Sequence, residues 1–266
     1  MTHTYFTSSI PHLCNYWERS MKEGSFQFIG CDQSERMSDE QKRAFKFSML
    51  EKGAVGNTDG RVVLPVCTDC PADQLCRAVR LNHQTFEMSV SQKKKMEIFY
   101  KNCAMSIAGP VYDPSLFRLY KNYIIARHGS SGTGMVNHTP DDLKRNMEKA
   151  KWMIVARDTK NQEPVSFALL DQHDNFFSLE YLAYDMRQMK LSPGLSTIIA
   201  AAYSLKFAYP DGYLYLGSWS PGSPKLGYKN QLIGLETRTS RGWHPLPRNA
   251  GPQDAPLPPP LTSFII

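Results

Sequence analysis

Nowhere in the 266 residues is there an apolar run approaching the roughly 18 that a membrane helix requires. The first ten residues lack both a basic start and the apolar core of a secretory leader, so a cytoplasmic protein with no membrane partner is expected. No like-charge run is longer than Lys93-Lys94-Lys95, and no internal repeat stands out. Lys and Arg number 31 against 25 Asp and Glu, a net charge of +6. That excess falls short of a histone-like or tail-driven nucleic-acid binder, although it suits contact with a polyanion over part of the surface. Cysteine is missing beyond residue 103: Cys14, Cys31, Cys67, Cys70, Cys76 and Cys103 all lie in the first half. Six cysteines in a cytoplasmic chain read as thiols, ligands or core residues rather than a disulfide framework. There is also no nucleophile elbow and no Ser-His-Asp arrangement.

What is present is 41% hydrophobic residues, enough for a substantial core. Composition divides the chain into a cysteine-containing region (1–110), a core (111–244) and a tail (245–266). Seven of the 18 prolines fall in that tail with only Arg248 and Asp254 as charges, which predicts an extended, polyproline-like or disordered appendage rather than a packing element. In the first region Ser38 and Gln41 form a capping-box pattern ahead of Phe45, Met49 and Leu50, predicting a helix over 39–51 that stops at Gly53. A second helix is expected from about Ser91. Asp113-Pro114 opens a third, with Leu116, Phe117, Tyr120, Tyr123 and Ile124 on one face.

From Thr139 the pattern becomes helix, strand (152–156), strand (165–170), strand (176–184), helix capped by Ser192-Pro193, and a last strand (213–219). This α+β order resembles the core of the GCN5-related N-acetyltransferases. In those enzymes a glycine-rich loop before the helix holds the coenzyme A pyrophosphate on backbone amides. Here that stretch is Met186-Arg187-Gln188-Met189-Lys190-Leu191-Ser192-Pro193-Gly194, with a single glycine. An acyl donor other than acetyl-CoA is expected, and an ester on transfer RNA, met by basic surface, is the alternative.

Three segments narrow this further: Cys67-Thr68-Asp69-Cys70 with Cys76-Arg77-Ala78-Val79-Arg80, then 123–135 (YIIARHGSSGTGM), then 213–229 (YLYLGSWSPGSPKLGYK). Together they resemble the aminoacyl-tRNA-protein transferases, the arginyl and leucyl transferases that extend proteins with acidic N-termini. The resemblance spans most of 12–244 and continues through Arg241-Gly242-Trp243 in the register of the bacterial aspartate/glutamate leucyltransferase branch. It departs at Gly53-Ala54-Val55-Gly56-Asn57, where relatives carry two arginines, and in the wider spacing from Cys70 to Cys76. The resemblance implies a charged tRNA as co-substrate, an acceptor protein or peptide as partner, no DNA, and no cofactor for the transfer itself.

Residue roles follow from these segments. His128 and Tyr228 are the candidate catalytic residues, His128 as proton acceptor or as a binder of the acceptor's acidic side chain. Arg77 is assigned to a carboxylate or phosphate, which a guanidinium fork grips with two parallel bonds. Arg127 ends the third helix, where the helix dipole alone would favour a cation. Ser218, Trp219, Lys225 and Lys229 follow the last strand and are expected to receive the tRNA 3′ end, Trp219 by stacking on its terminal base. Cys14, Cys67, Cys70 and Cys76 have the count for a tetrahedral zinc or an iron-sulfur cluster, which eukaryotic relatives hold in a comparable region. The alternatives are the same chemistry on a dedicated peptide or small amine, and a non-catalytic module that binds RNA or protein.

Overall fold

The computed structural model describes residues 37–56, 62–65, 70–71, 75–129, 137–254 and 256–259, the side chains of Pro65 and His128 excepted, and the backbone of four short strands before residue 32. Those strands are β1 (Tyr5–Ser8), β2 (Leu13–Cys14), β3 (Arg19–Ser20) and β4 (Phe26–Cys31). After them come α1 (Asp39–Lys52), β5 (Val55–Gly56), β6 (Val62–Pro65), β7 (Arg77–Asn82), α2 (Val90–Asn102), β8 (Cys103–Ala108), α3 (Pro114–His128) and α4 (Pro140–Lys149). The second half holds β9 (Trp152–Asp158), β10 (Pro164–His173), β11 (Phe176–Tyr184), α5 (Pro193–Ala208), β12 (Tyr213–Trp219), β13 (Leu235–Thr239) and β14 (Gly242–Pro245). No helix among the described residues is long and apolar enough to cross a membrane.

Local chemistry sets the helix ends. Ser38 and Gln41 exchange the two bonds of a capping box at α1, and Gly53 closes that helix at φ 103°, a left-handed conformation that glycine adopts without strain. Asp113 caps α3 by accepting from the Ser115 amide. The second helix begins at Val90 because Ser89 and Gln92 form the same box.

An eight-stranded sheet in the order β14-β13-β7-β12-β11-β10-β9-β8 carries the molecule. Strands β9, β10 and β11 are an antiparallel meander; α5 then crosses over and β12 returns parallel to β11. This is the helix, meander, helix, parallel-strand order expected of the acyl-transfer core. Helices α2 and α5 cover one face, where Phe99, Ile198, Ala202, Phe177 and Trp219 share a core. On the other face α3 and α4 set Tyr120, Ile124 and Leu143 against Phe167, Leu169 and Tyr181, while α1 sets Phe47 and Leu50 near Tyr215. Each fully buried side chain of this size contributes about 1.5–3 kcal/mol relative to exposure.

Two expectations about organisation do not hold. Strand β7 precedes residue 111 yet lies inside the large sheet between β12 and β13, so a boundary at 110/111 cuts one core rather than separating two. The proline-rich stretch also packs. Leu246 and Ala250 are buried in the main core, Leu246 N–H bonds to the Leu235 carbonyl, and Pro259 is buried beside Gly53. Apolar residues between the prolines supply that anchorage.

Candidate active site

The site is built where β11 and β12 part. The two strands share three rungs, Phe176 with Tyr213, Phe177 with Leu214 and Ser178 with Tyr215. Beyond them β11 pairs with β10 and β12 with β7. A bulge in each strand drives the divergence, since an extra residue bends a strand away from its neighbour. On β11, Leu179 faces Leu170 and Tyr181 faces Leu169, which leaves Glu180 as the extra residue. On β12 the register shifts between Tyr215 and Ser218, around Gly217 at φ 72°.

Each bulge is held by a buried lysine. Lys46 of α1 pairs with Glu180 at 2.7 Å and Asp171 at 3.0 Å, and Arg43 reaches Asp171 at 2.8 Å. Burial alone would lower the Lys46 pKa, but the carboxylates of Glu180 and Asp171 outweigh it and the pKa rises above that of an ordinary lysine. Lys229 donates from Nζ to the carbonyls of Leu216 and Ser218 at 2.6 and 2.5 Å, on either side of Gly217. Its bonds go to neutral carbonyls, so burial dominates and lowers its pKa to about 8.

That shift has a measurable sign. Between pH 8 and the ordinary lysine value of 10.5 the unfolded chain binds more protons at this position than the folded one, so the Lys229 contribution to stability rises with pH across that window. The difference in thermal midpoint between wild type and Lys229→Met should therefore shift in favour of wild type from pH 8 to 10. An unchanged difference would show that Lys229 is not buried in this way.

At the open end of the divergence stand three tyrosines and an arginine. The rings of Tyr123 on α3 and Tyr184 on β11 are 4.8 Å apart. Tyr228 comes from the 3₁₀ turn Gly227–Gln231. Arg127 Nη2 donates to the carbonyls of Pro224 and Lys225 at 3.4 and 3.5 Å, drawing that loop over the opening. Burial raises the pKa of both Tyr123 and Tyr228, so their hydroxyls stay protonated near neutrality and act as hydrogen-bond donors.

The first turn of α5 forms one wall. Pro193 has no N–H, and helix geometry gives the amides of Gly194 and Leu195 no partner within the helix. Ser192, expected as a cap, takes a left-handed conformation and makes no side-chain capping bond. Residue 194 must be glycine here, because a Cβ would lie 2.7 Å from the Tyr184 ring. The resulting cavity of about 270 Å³ is lined by Lys95, Arg127, Tyr184, Gly194 and Tyr228, together with the apolar Met189 and Leu195. A helix N-terminus thus points into the opening without any glycine-rich loop.

The sequence-derived residues divide accordingly. Arg127 and Tyr228 line the opening, and Lys225 lies in the loop beside it. His128 is the last residue of α3, with its side chain outside the described residues. Four assignments to bound tRNA or acceptor are corrected. Arg77 is 1% exposed, and its guanidinium bonds to the carbonyls of Pro256 and Leu75 while lying over Trp219, so its fork is occupied. Trp219 is fully buried in the core and offers no face to a base. Lys229 is a pin inside the fold; Ser218 is buried and lends it a carbonyl.

The cysteine assignment falls partly outside the description: Cys67 and the side chain of Cys14 are not described. Cys76 is buried and lies close enough to Lys229 to oppose the fall in its pKa, which places it against the β12 bulge. Among the described residues no three His, Cys, Asp or Glu side chains are grouped to hold a metal ion. Sequence reasoning missed Tyr184, Lys46 and Glu180. The one signal for Glu180 was a charge inside the otherwise apolar and aromatic run 176–184.

The sheet order and the tyrosine-lined, basic opening at a helix N-terminus define an acyltransferase-like core. Residues 115–238 match the family described as Arginine-tRNA-protein transferase, C terminus. The chain is 25% identical over 257 residues to the aspartate/glutamate leucyltransferase of Dinoroseobacter shibae, covering 91% of this chain and 83% of that one. It is 28% identical over 250 residues to the enzyme of that name from Ruegeria pomeroyi, covering 90% and 82%. Over 115–238 the chain is similar to the C-terminal part of the arginine-tRNA-protein transferases, and over most of its length it is similar to enzymes named aspartate/glutamate leucyltransferase. Among solved structures, FemX aligns with a TM-score of 0.42 at 8% identity over 84% of this chain and 81% of that one. The C-terminal domain of a lysylphosphatidylglycerol synthetase from Agrobacterium fabrum aligns at 0.41 and 12% over 54% and 46%. Scores at that level carry no functional argument.

Proposed function

We propose that the protein transfers leucine from charged tRNA to the α-amine of proteins whose N-terminal residue is aspartate or glutamate. The observation that carries the choice of leucine is the chemistry of the cavity. Its lining residues include Lys95 and Arg127, the apolar Met189, Leu195, Pro193 and Pro224, and no carboxylate. An isobutyl side chain fits those walls, whereas a guanidinium would be desolvated beside two cations with no counter-ion. The names of the related enzymes support the same donor and the acidic acceptor.

In this reading the α-amine attacks the ester carbonyl, a new C–N bond forms, and the bond from that carbon to the ribose oxygen breaks. The ribose leaves as an alcohol, and one proton is released from the attacking ammonium. The ester is already activated, so the protein positions two substrates, receives that proton and steadies the oxyanion. Glu180, the extra residue of the β11 bulge where the strands part, is the proton acceptor. Tyr123 and Tyr228 supply hydroxyl donors, while Arg127 and the α5 amides hold the terminal phosphate and ribose. His128, next to Arg127, is assigned to the acceptor's acidic side chain.

Incubating the protein with tRNA pools charged with labelled leucine, arginine or phenylalanine, and peptides beginning Asp, Glu or Ala, tests this directly. Leucine should pass to the Asp and Glu peptides alone. Preferential transfer of arginine would overturn the donor assignment, and equal use of the Ala peptide would point instead to a dedicated acceptor recognised by other features.

A further inference from the structure

The donor opening does not stand alone on its face of the molecule. Three hollows follow one row of α5 at intervals of four residues: Leu195 in the opening, Ile199 and Tyr203 in the second, and Tyr203 and Phe207 in the third. The third is the most spacious, about 840 Å³. Helix α2 forms the opposite bank, with Lys95 at the opening, and Lys93 and Tyr100 along the second hollow. Side chains that would normally be buried are presented to solvent here: Phe207 is 74% exposed, Tyr100 51% and Tyr203 43%. Tyr203 and Phe207 meet edge to face with centroids 5.0 Å apart.

We infer that this groove between α2 and α5 is a stacking platform for the unpaired 3′ end of the charged tRNA, the nucleotides leading into the donor opening. This deepens the reading given under Proposed function and rests on it. Three observations converge. The groove is continuous with the opening along a single helix row. Its aromatic rings stand among Lys93, Lys95 and Lys206, which outnumber the Glu87 and Glu97 carboxylates on the same banks, and rings beside positive charge are the combination that holds single-stranded nucleic acid by base stacking and backbone attraction. Its length also fits: Tyr203 and Phe207 lie about 12 and 18 Å along the axis from Leu195 at ~1.5 Å per residue. That distance is within reach of the few unpaired nucleotides that end a tRNA, at ~3.4 Å per stacked nucleotide and more when extended. A docking face for another protein would not call for lysines tracking the apolar row toward the donor opening.

The test compares wild type with Tyr203→Ala/Phe207→Ala, and separately with Lys93→Gln, after thermal melts show the variants folded. Two readouts are used: KM for leucyl-tRNA, and affinity for an uncharged, fluorescently labelled RNA hairpin with or without a four-nucleotide 3′ overhang. The double aromatic variant should raise KM and weaken overhang binding about tenfold or more, leaving kcat and the blunt hairpin unaffected. Lys93→Gln should lower the salt slope of binding by about one. Unchanged KM and overhang affinity in the double variant would overturn the assignment, whatever the donor proves to be. Failure of wild type to transfer from any charged tRNA would sink the reading of function instead, and the overhang measurement would still decide the groove.

Discussion

Glu180→Gln should reduce kcat by about 100-fold or more, the contribution of a positioned general base, with KM for leucyl-tRNA little changed. Gln keeps the shape at the β11 bulge and can still accept from Lys46, but it cannot take the proton released by the attacking ammonium. The pH profile separates this role from a structural one. If Glu180 receives the proton, raising the pH should narrow the gap between wild type and variant, as more acceptor amine arrives deprotonated. A fall in activity with an unshifted pH profile and a lowered thermal midpoint would assign Glu180 to the fold alone.

Lys46→Met should be the most destabilising of the substitutions considered. Its Nζ lies between two carboxylates that are 6% and 10% exposed, and removing the cation leaves both charges facing each other in a poorly solvated place. Breaking a buried pair from one side costs about 3–5 kcal/mol. Arg43 continues to hold Asp171 at 2.8 Å, so the lower half of that range is expected, a fall in thermal midpoint of about 6–12 °C. Because the folded-state pKa of Lys46 is raised, its stabilisation is fully present below about pH 10.5 and is lost only as the pH climbs through the raised value. The deficit of Lys46→Met should therefore be constant from pH 6 to 9, whereas the Lys229 contribution begins to rise from pH 8. Adding Glu180→Gln to Lys46→Met should restore part of the lost stability, since the unpaired carboxylate is then gone. No recovery would show that Lys46 acts by packing rather than by charge.

The contrast between the two lysines shows why part of the site was legible in the sequence and part was not. Capping residues are local: Ser38 with Gln41, Asp113 with Pro114 and Thr139 with Pro140 mark helix starts within a single turn, and the structure places α1, α3 and α4 there. The meander was equally readable, because period and turn residues lie side by side. Trp219 and Lys229 read as exposed binding residues because they lie in a stretch rich in glycine, serine and proline, and Arg77 because the family resemblance falls on it. Their burial depends on partners far along the chain, β7 entering beside β12 and the turn Gly227–Gln231 folding back under the β12 bulge. Nothing within a window of ten residues announces such pairings. Glu180 was hidden for a related reason: a single carboxylate in a strand is ordinary until α1, some 130 residues earlier, is seen to bring Lys46 to it.

The placement of β7 also sets a timetable for synthesis. That strand ends at Asn82, yet its two neighbours, β12 and β13, begin at Tyr213 and Leu235. At about 5–20 residues per second, roughly 8–30 seconds pass after β7 is made before both edges can be covered. During that interval a strand destined for the middle of the sheet has two open hydrogen-bonding edges and the apolar Ala78, Val79 and Leu81 exposed, which invites pairing with other nascent chains. Arg77 and Arg80 at the start of this strand place two positive charges along it in the meantime. Charge on a strand whose edges are still open disfavours such pairing, so the arginine that first suggested a binding site also bears on the period before the rest of the sheet exists.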